Sequence, residues 1–514
     1  MKKASAIFLI LIVFLLSSLH VFGNELENAD KNGEENLDKR LLIVYRNDIE
    51  RYAMEAGDRG LRFPESIQSR IRKSKRLDNL NMEILTIDKA QDSQEVINLL
   101  MEDEAIESVQ EDAKRYYLSA SPPNDPLYQM QWGLMNDNIN LLRAWELLED
   151  SEEALVAVID SGINNEHEDL KYRIAPGGVN FERDNDDRND ITDIENHGTA
   201  VSGVIAAQTN NNIGVAGVVG EASVRILPLK AGYYVSEVIE AIDYAVDMEV
   251  DVINISMGGP DYVFAEEEAI QRAINANIVV VAAVGNDAHI DNVLNYPGSY
   301  DNVLSVGSID SDEKISYFSN YNSTVDLVAP GEGIYTTSSD GKYRITYGTS
   351  FSSPYVSAIC ALLKSMDKSL TPSEIENILL STAMDRGVEG KDDYYGYGLI
   401  NPVGAINMAL VEKEAYNNFD EMAGVKLDKA WTIEFSMQLD SNTINTSNIY
   451  IVDSKYNFVD CNLSLLSDKK SVTITPKTNY NPSEEYSLII NRNVQSIDGE
   501  KLAKGVIMKF TTED

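Results

Sequence analysis

Three short stretches, far apart in the chain, each present one side chain suited to nucleophilic chemistry. They are Val156-Ala157-Val158-Ile159-Asp160-Ser161-Gly162, His197-Gly198-Thr199 and Gly348-Thr349-Ser350-Phe351-Ser352-Ser353-Pro354. A serine hydroxyl attacks poorly near neutral pH unless a base takes its proton, and that base needs an acid to orient it. Imidazole is the natural base because its ordinary pKa is about 6.5. Of the four histidines, His20, His167, His197 and His289, only His197 precedes Gly-Thr and a small-residue run, Ala200-Val201-Ser202-Gly203, that would let a helix pack closely. Taken singly, Asp160 reads equally as a strand-end turn residue, and His197 and Ser350 as helix caps. Taken together, in the order Asp, His, Ser, they match one chain order of the Ser-His-Asp device. Asn286, in Ala282-Ala283-Val284-Gly285-Asn286-Asp287, adds an amide that could donate to an oxyanion beside the Ser350 backbone N–H.

Such a device needs a scaffold that brings the three stretches together. Between Asp125 and Val411, apolar strands alternate with helical stretches. The strands are expected at Ala154 to Ile159, Val224 to Leu229, Val250 to Ile255, Ile278 to Val284 and Val303 to Val306. Helices are expected at Val235 to Met248, Ala265 to Ala276, Pro354 to Met366 and Pro372 to Ser381. This alternation predicts an α/β fold with a doubly wound, mainly parallel sheet, and sites at the carboxyl ends of its strands. Asp160 and Asn286 both fall at such ends. Before it, Leu41 to Tyr45, Ser93 to Glu102 and Ile106 to Gln110 predict a small α+β unit over residues 40–118. After it, the unbroken alternation of Trp431 to Leu439 and further short strands predict an antiparallel β-sandwich over residues 419–514.

The formal net charge of −40 argues against nucleic acid or an anionic membrane as partner. Lys2 and Lys3, an apolar run from Ala6 to Leu16 and the small-residue site Val21-Phe22-Gly23 predict a secretory signal peptide over residues 1–23. A membrane anchor is the alternative, though the run is short for a span. An acidic spacer follows over residues 24–39. With Cys360 and Cys461 the only cysteines, and in different units, no disulfide is expected.

The Asp160, His197 and Ser350 boxes resemble those of the subtilisin-like serine peptidases, the subtilases, in family order, and the likeness covers nearly all of Asp125 to Met408, within a peptidase domain expected over residues 122–412. The resemblance implies a secreted endopeptidase in which Ser350 attacks, His197 moves the proton, Asp160 orients the imidazole and Asn286 serves the oxyanion. Ser256-Met257-Gly258 resembles the segment that pairs with extended substrate, which gives Ser256 and Gly258 a substrate-binding role. Residues 40–118 resemble the inhibitory propeptide, with self-cleavage expected between Tyr116 and Ser121. Asp169 with Gln208 to Gly214 resembles a calcium site. Asn210 and Asn212 remain alternative ligands there, with Gln131 as a possible upstream one. The acidic loop of Asp184, Asp186, Asp187, Asp190 and Asp193 is a second candidate. The C-terminal unit resembles bacterial Ig-like modules of surface proteins, so cell wall joins protein substrates and the propeptide among the expected partners. A subtilase-shaped pseudo-enzyme or surface scaffold is the rival reading.

Overall fold

The structure, a computed structural model, describes residues 10–11, 39–45, 71–77, 82–87, 93–101, 103, 105–111, 122–135, 139–148, 151–183, 187–232, 234–413 and 416–514. Most of the expected signal peptide and spacer, and the stretch expected to hold the cleavage point, lie outside the described residues. The chain divides into two compact units, Leu16–Ser119 and a larger one containing Ala120–Asp514.

In the smaller unit, Lys39–Tyr45 is flanked by Met82–Ile87 and Ile106–Glu111, and Ile71–Leu77 adds an edge to Met82–Ile87, all antiparallel. The helix Ser93–Leu100 supplies Val96 and Leu100 to a core with Leu41, Ile43, Tyr45, Leu85, Ile87 and Ile106. The alternate residues Leu41, Ile43 and Tyr45 are buried because successive side chains in a strand point to opposite faces.

The larger unit centres on a parallel seven-stranded sheet. Its strands are β1 (Ala154–Asp160), β2 (Val179–Asn180), β3 (Val224–Lys230), β4 (Val252–Ile255), β5 (Val279–Ala283), β6 (Leu304–Ile309) and β7 (Leu327–Pro330). They lie in the order β7-β6-β5-β4-β1-β3-β2. β1 sits between β3 and β4, with residues 156–159 paired on both sides, so Asp160 ends an inner strand. Both faces are covered. Val156 and Val158 pack into the core with α1 (Gly198–Ala206) and α4 (Ser353–Met366). Ala157 and Ile159 face α2 (Val235–Asp247) and α3 (Phe264–Asn275). The continuous apolar runs of β1 up to Ile159 and of β5 follow from burial on both faces. Helix α4 is buried from Ser353 to Ser365, and its Ser, Ala and Cys360 side chains are small enough for that interior position.

The C-terminal sandwich faces Trp431–Phe435, Ser471–Pro476 and Cys461–Leu465 against Val506–Thr512, Glu485–Ile490 and Ile449–Asp453. These pairings are antiparallel, while the short strands Asn417–Asn418 and Met422–Val425 run parallel to Val506–Thr512. The strand expected to reach Leu439 stops at Phe435, and Leu439 instead bridges to Ser496. Ile10–Leu11 pairs antiparallel with Phe435 and Glu434. Both cysteines are free and buried.

Candidate active site

Asp160 leaves β1 with its carboxylate buried, and His197 Nδ1 lies 2.8 Å from Asp160 Oδ1. A carboxylate only accepts, so Nδ1 carries the proton and Nε2 is left as the acceptor a nucleophile needs. The Ser161 N–H also donates to Asp160 Oδ1 at 2.7 Å. Asp160 Oδ2 is buried with no hydrogen-bond donor among the described residues, which leaves much of its charge to be balanced by the imidazole.

This contact needs the start of α1 to come close to the end of β1. Gly198 permits it: a Cβ there would strike the Gly162 carbonyl and lie 3.0 Å from the Asp160 Cβ. Behind it, a Cβ on Gly203 would strike the Thr337 and Thr336 hydroxyls. On the hairpin strand Glu332–Thr337, the Thr336 hydroxyl donates to the Ala200 carbonyl at 2.8 Å and the Thr337 hydroxyl to the Thr199 carbonyl at 2.7 Å.

Burial is the largest influence on the His197 imidazole and pulls its pKa down. The Asp160 charge and hydrogen bond, with Asp193 beyond them, outweigh it and leave the group above its usual 6.5, against a lowering from Arg344. Solvent still reaches about a third of the ring, 34%, so these charges act through a partly wet environment.

Ser350 sits in a 3₁₀ turn, Thr349–Phe351, just before α4. The turn packs on α1, and the Phe351 ring centroid is 5.4 Å from that of His197. The Ser350 hydroxyl donates to the Ser256 carbonyl at 3.0 Å rather than to the histidine. Ser256 Oγ in turn donates to the Ser350 carbonyl at 2.9 Å, and accepts from Asn254 Nδ2 at 2.8 Å. Ser353 and Ser357 complete this buried network, at 3.0 Å to Ser256 Oγ and 2.8 Å to Asn254 Oδ1. The side chain of Ser256 therefore faces inward and holds the turn, leaving only its backbone for anything bound outside. Gly258 is required for close approach: a Cβ there would be 2.5 Å from the Tyr296 carbonyl.

Asn286 follows β5. Its Oδ1 accepts from the Thr349 N–H at 2.9 Å and the Thr349 hydroxyl at 3.0 Å. Because an N–H can only donate, the amide is fixed with Nδ2 turned away from Thr349. The Ser350 N–H, next along the turn, donates to no described acceptor. Thus Asp160 meets His197, Asn286 meets the serine turn, and the serine hydroxyl itself rests on Ser256.

The expected calcium ligands are arranged differently. Asp169 accepts from Asn211 Nδ2 at 2.7 Å and from the Val215 N–H at 2.9 Å. Asn210 and Asn212 both adopt left-handed backbone, φ 61° in each, and turn to Asn124. The asparagine whose side chain meets Asp169 is Asn211, rather than Asn210 or Asn212. Gln131 clips the Ala216 backbone, with Nε2 to O and N to Oε1 both 2.8 Å, which engages both ends of its amide. Asp125 lies against the same loop, accepting from Asn210 and Asn211 N–H groups at 2.9 and 3.3 Å. Burial pushes the Asp169 carboxyl up to about 6, reinforced by the charge of Asp125 and opposed by the hydrogen bonds. Burial also raises Asp125. Neither acid makes an ion pair with a described residue. Two buried like charges of this kind fit a divalent cation, although no group of three or more acid, His or Cys side chains gathers among the described residues.

The second acidic loop dissolves in part. Asp184 and Asp186 lie outside the described residues, Asp187 and Asp190 bond N–H groups two residues on, and Asp193 turns inward to α1. The sequence carried no signal for Asp193: a cap is read from the residue immediately before a helix, which here is His197, and Asp193 reaches the helix start only through the fold of the loop.

Comparison with known proteins agrees with this architecture. The profile of the subtilase family matches residues 151–398, and that of the bacterial Ig-like domain matches residues 419–512. A thermophilic serine proteinase of Bacillus sp. (strain AK1) is 36% identical over 292 residues, covering 56% of this chain and 70% of that one. An intracellular serine protease of Paenibacillus polymyxa is 41% identical over 258 residues, 48% of this chain and 78% of its own. A halolysin-like extracellular serine protease, Nep, of Natrialba magadii is 34% identical over 310 residues, 59% of this chain and 56% of its own. With its parallel sheet, its Asp–His contact and these relatives, the chain belongs to the subtilase family of subtilisin-like serine endopeptidases.

Proposed function

We propose that this chain is a secreted endopeptidase that cleaves peptide bonds through an acyl-enzyme on Ser350. The observation that carries the reading is the 2.8 Å Asp160–His197 contact beside the turn bearing Ser350. In this cycle the Ser350 hydroxyl leaves the Ser256 carbonyl by rotation about χ1, passes its proton to His197 Nε2 and bonds the substrate carbonyl carbon. The carbonyl electron pair moves onto oxygen, where Asn286 Nδ2 and the Ser350 N–H receive it. Collapse expels the amine, which takes the proton from Nε2, and water repeats the sequence to free Ser350. Asp160 keeps Nδ1 protonated and balances the imidazolium. The backbone from Ser256 to Gly258 is the edge for extended substrate.

Residues 40–118 act in this reading as an inhibitory propeptide, removed by cleavage between Tyr116 and Ser121. Residues 1–23 direct export, in keeping with the extracellular relative. The Ig-like module is compatible with a place at the cell surface. Asp125, Asp169 and Asn211 would hold calcium, which would neutralise the buried acids and tie residues 124–125 to the loop after α1. A chelator should then lower the melting temperature on the order of 5 °C or more, and Asp169→Asn should abolish most of that difference. An unchanged melting curve would remove the ion from the account.

A fluorophosphonate should label the processed chain, and Ser350→Ala or His197→Ala should end labelling. No labelling of the processed wild type would favour the rival, a subtilase-shaped scaffold.

A further inference from the structure

We propose that Asp193 is a positioning residue that locks the start of α1 to the end of β1 and so sets where His197 meets Asp160. The inference rests on the Ser350–His197–Asp160 reading. Asp193 is buried, and its two oxygens accept four hydrogen bonds. Oδ1 accepts from Ser161 Oγ at 2.8 Å, from Asn196 N–H at 2.9 Å and from the His197 N–H at 3.4 Å. Oδ2 accepts from the Thr199 N–H at 2.9 Å.

Ser161 closes the circuit. Its N–H donates to Asp160 Oδ1, its hydroxyl donates to Asp193, and that same hydroxyl accepts from the Gly198 N–H at 2.9 Å. The backbone N–H groups of residues 197, 198 and 199 are thus all held by Asp193 or Ser161. These are the orphan donors at the start of a helix, where a negative charge is also favoured. An anchored helix start fixes the Cα–Cβ direction of His197, and the contact with Asp160 follows from that direction.

The charge has a consequence that purely steric support would not. The charged groups facing His197 are Asp160 from β1, Asp193 from the preceding loop and Arg344 from the strand Tyr343–Tyr347. Arg344 also donates to the Asn196 carbonyl at 3.1 Å. Near Asp193 itself, Lys230 is paired with Glu182 at 3.1 Å and donates to the Thr192 carbonyl at 2.9 Å. Removing the Asp193 charge tips the balance at His197 toward the neutral ring.

The test compares Asp193→Asn and Ser161→Ala in the processed enzyme, with kcat, KM and kcat/KM measured against pH. Asp193→Asn should lower kcat about 10-fold or more with little change in KM, and should move the acid limb of kcat/KM to lower pH. Ser161→Ala should lower kcat in the same direction by less, and the double variant should be no worse than Asp193→Asn alone. Ser161→Ala also serves if Asp193→Asn fails to fold. A wild-type kcat and an unmoved acid limb in Asp193→Asn, with only the melting temperature lowered, would overturn the proposal. Fluorophosphonate labelling separates the two levels. If the processed wild type is unlabelled, the triad reading has failed; if it labels and the variant kinetics are unchanged, only the role of Asp193 has.

Discussion

The His197 ring is held in one tautomer and above its ordinary pKa by the same neighbours, which gives opposite pH signs to stability and activity. Because the folded pKa lies above the unfolded value near 6.5, the favourable interaction with Asp160 is fully present below pH ~6.5 and is lost as pH rises through the folded pKa. In the proposed cycle activity runs the other way, since only the neutral ring can accept the serine proton. The acid limb of kcat/KM, which reports the free enzyme, should therefore be centred above 6.5. Asp160→Asn should lower kcat by roughly 10⁴ and move that limb to lower pH. A variant limb left in place would mean that Asp160 does not set the histidine's charge. At this scale, the sequence singled out candidate residues but not which lone pair each one uses. Thr349 holding Asn286 and Ser256 holding Ser350 are partnerships between residues far apart in the chain, and nothing in their types announces them.

Helix α1 carries the histidine, and its packing depends on having almost no side chain on one face. Gly203 lies under Thr336 and Thr337, where a Cβ would strike their hydroxyls. Gly203→Val should displace the hairpin strand Glu332–Thr337 and break the bonds to the Ala200 and Thr199 carbonyls. A cost of about 1–3 kcal/mol is expected, read as a lowered denaturation midpoint with unchanged slope. An unaffected midpoint would show that the hairpin yields freely. Strands like β1 and β5 were legible because burial on two faces leaves an apolar run no polar alternation can imitate. Ile71–Leu77 was not legible. Its sequence, Ile71-Arg72-Lys73-Ser74-Lys75-Arg76-Leu77, has no apolar alternation because it is an edge strand whose pairing comes from Met82–Ile87. β2 was missed for another reason, since two residues are too short to show a period, and β7 because its apolar residues run into Pro330-Gly331, which reads as a turn. The left-handed turns at Asn210 and Asn212 likewise reverse which asparagine faces Asp169, a geometry that residue type leaves open.

For the whole molecule, the Ig-like module is docked on the catalytic unit rather than strung from it. Arg143, on the helix Leu141–Leu147, donates to the Thr446 carbonyl at 2.6 Å and to Ser447 Oγ at 3.1 Å, with its guanidinium 4.2 Å from the Phe458 ring centroid. Asn401 donates to Asn457 Oδ1 at 2.7 Å, Asn407 to the Tyr456 carbonyl at 3.2 Å, and Lys455 to the Ser381 carbonyl at 3.0 Å. Tyr456 and Phe458 pack against the hydrophobic core of the catalytic unit. A Cβ on Gly404 would be 2.6 Å from the Lys455 carbonyl, so the helix Pro402–Lys413 accepts the turn only because that position is bare. Hydrogen bonds from a charged group, each contributing about 1.5–3 kcal/mol, together with this packing, should couple the two units into one unfolding transition. In a Ser350→Ala background, which removes self-digestion, calorimetry should give a single peak. Arg143→Ala or Gly404→Val should lower its temperature by roughly 2–4 °C per kcal/mol lost, or split it in two. Two peaks in the parent chain, with the catalytic one indifferent to both substitutions, would mean that the module is an independent appendage. The Arg143 and Gly404 contacts would then have no part in stabilising the enzyme.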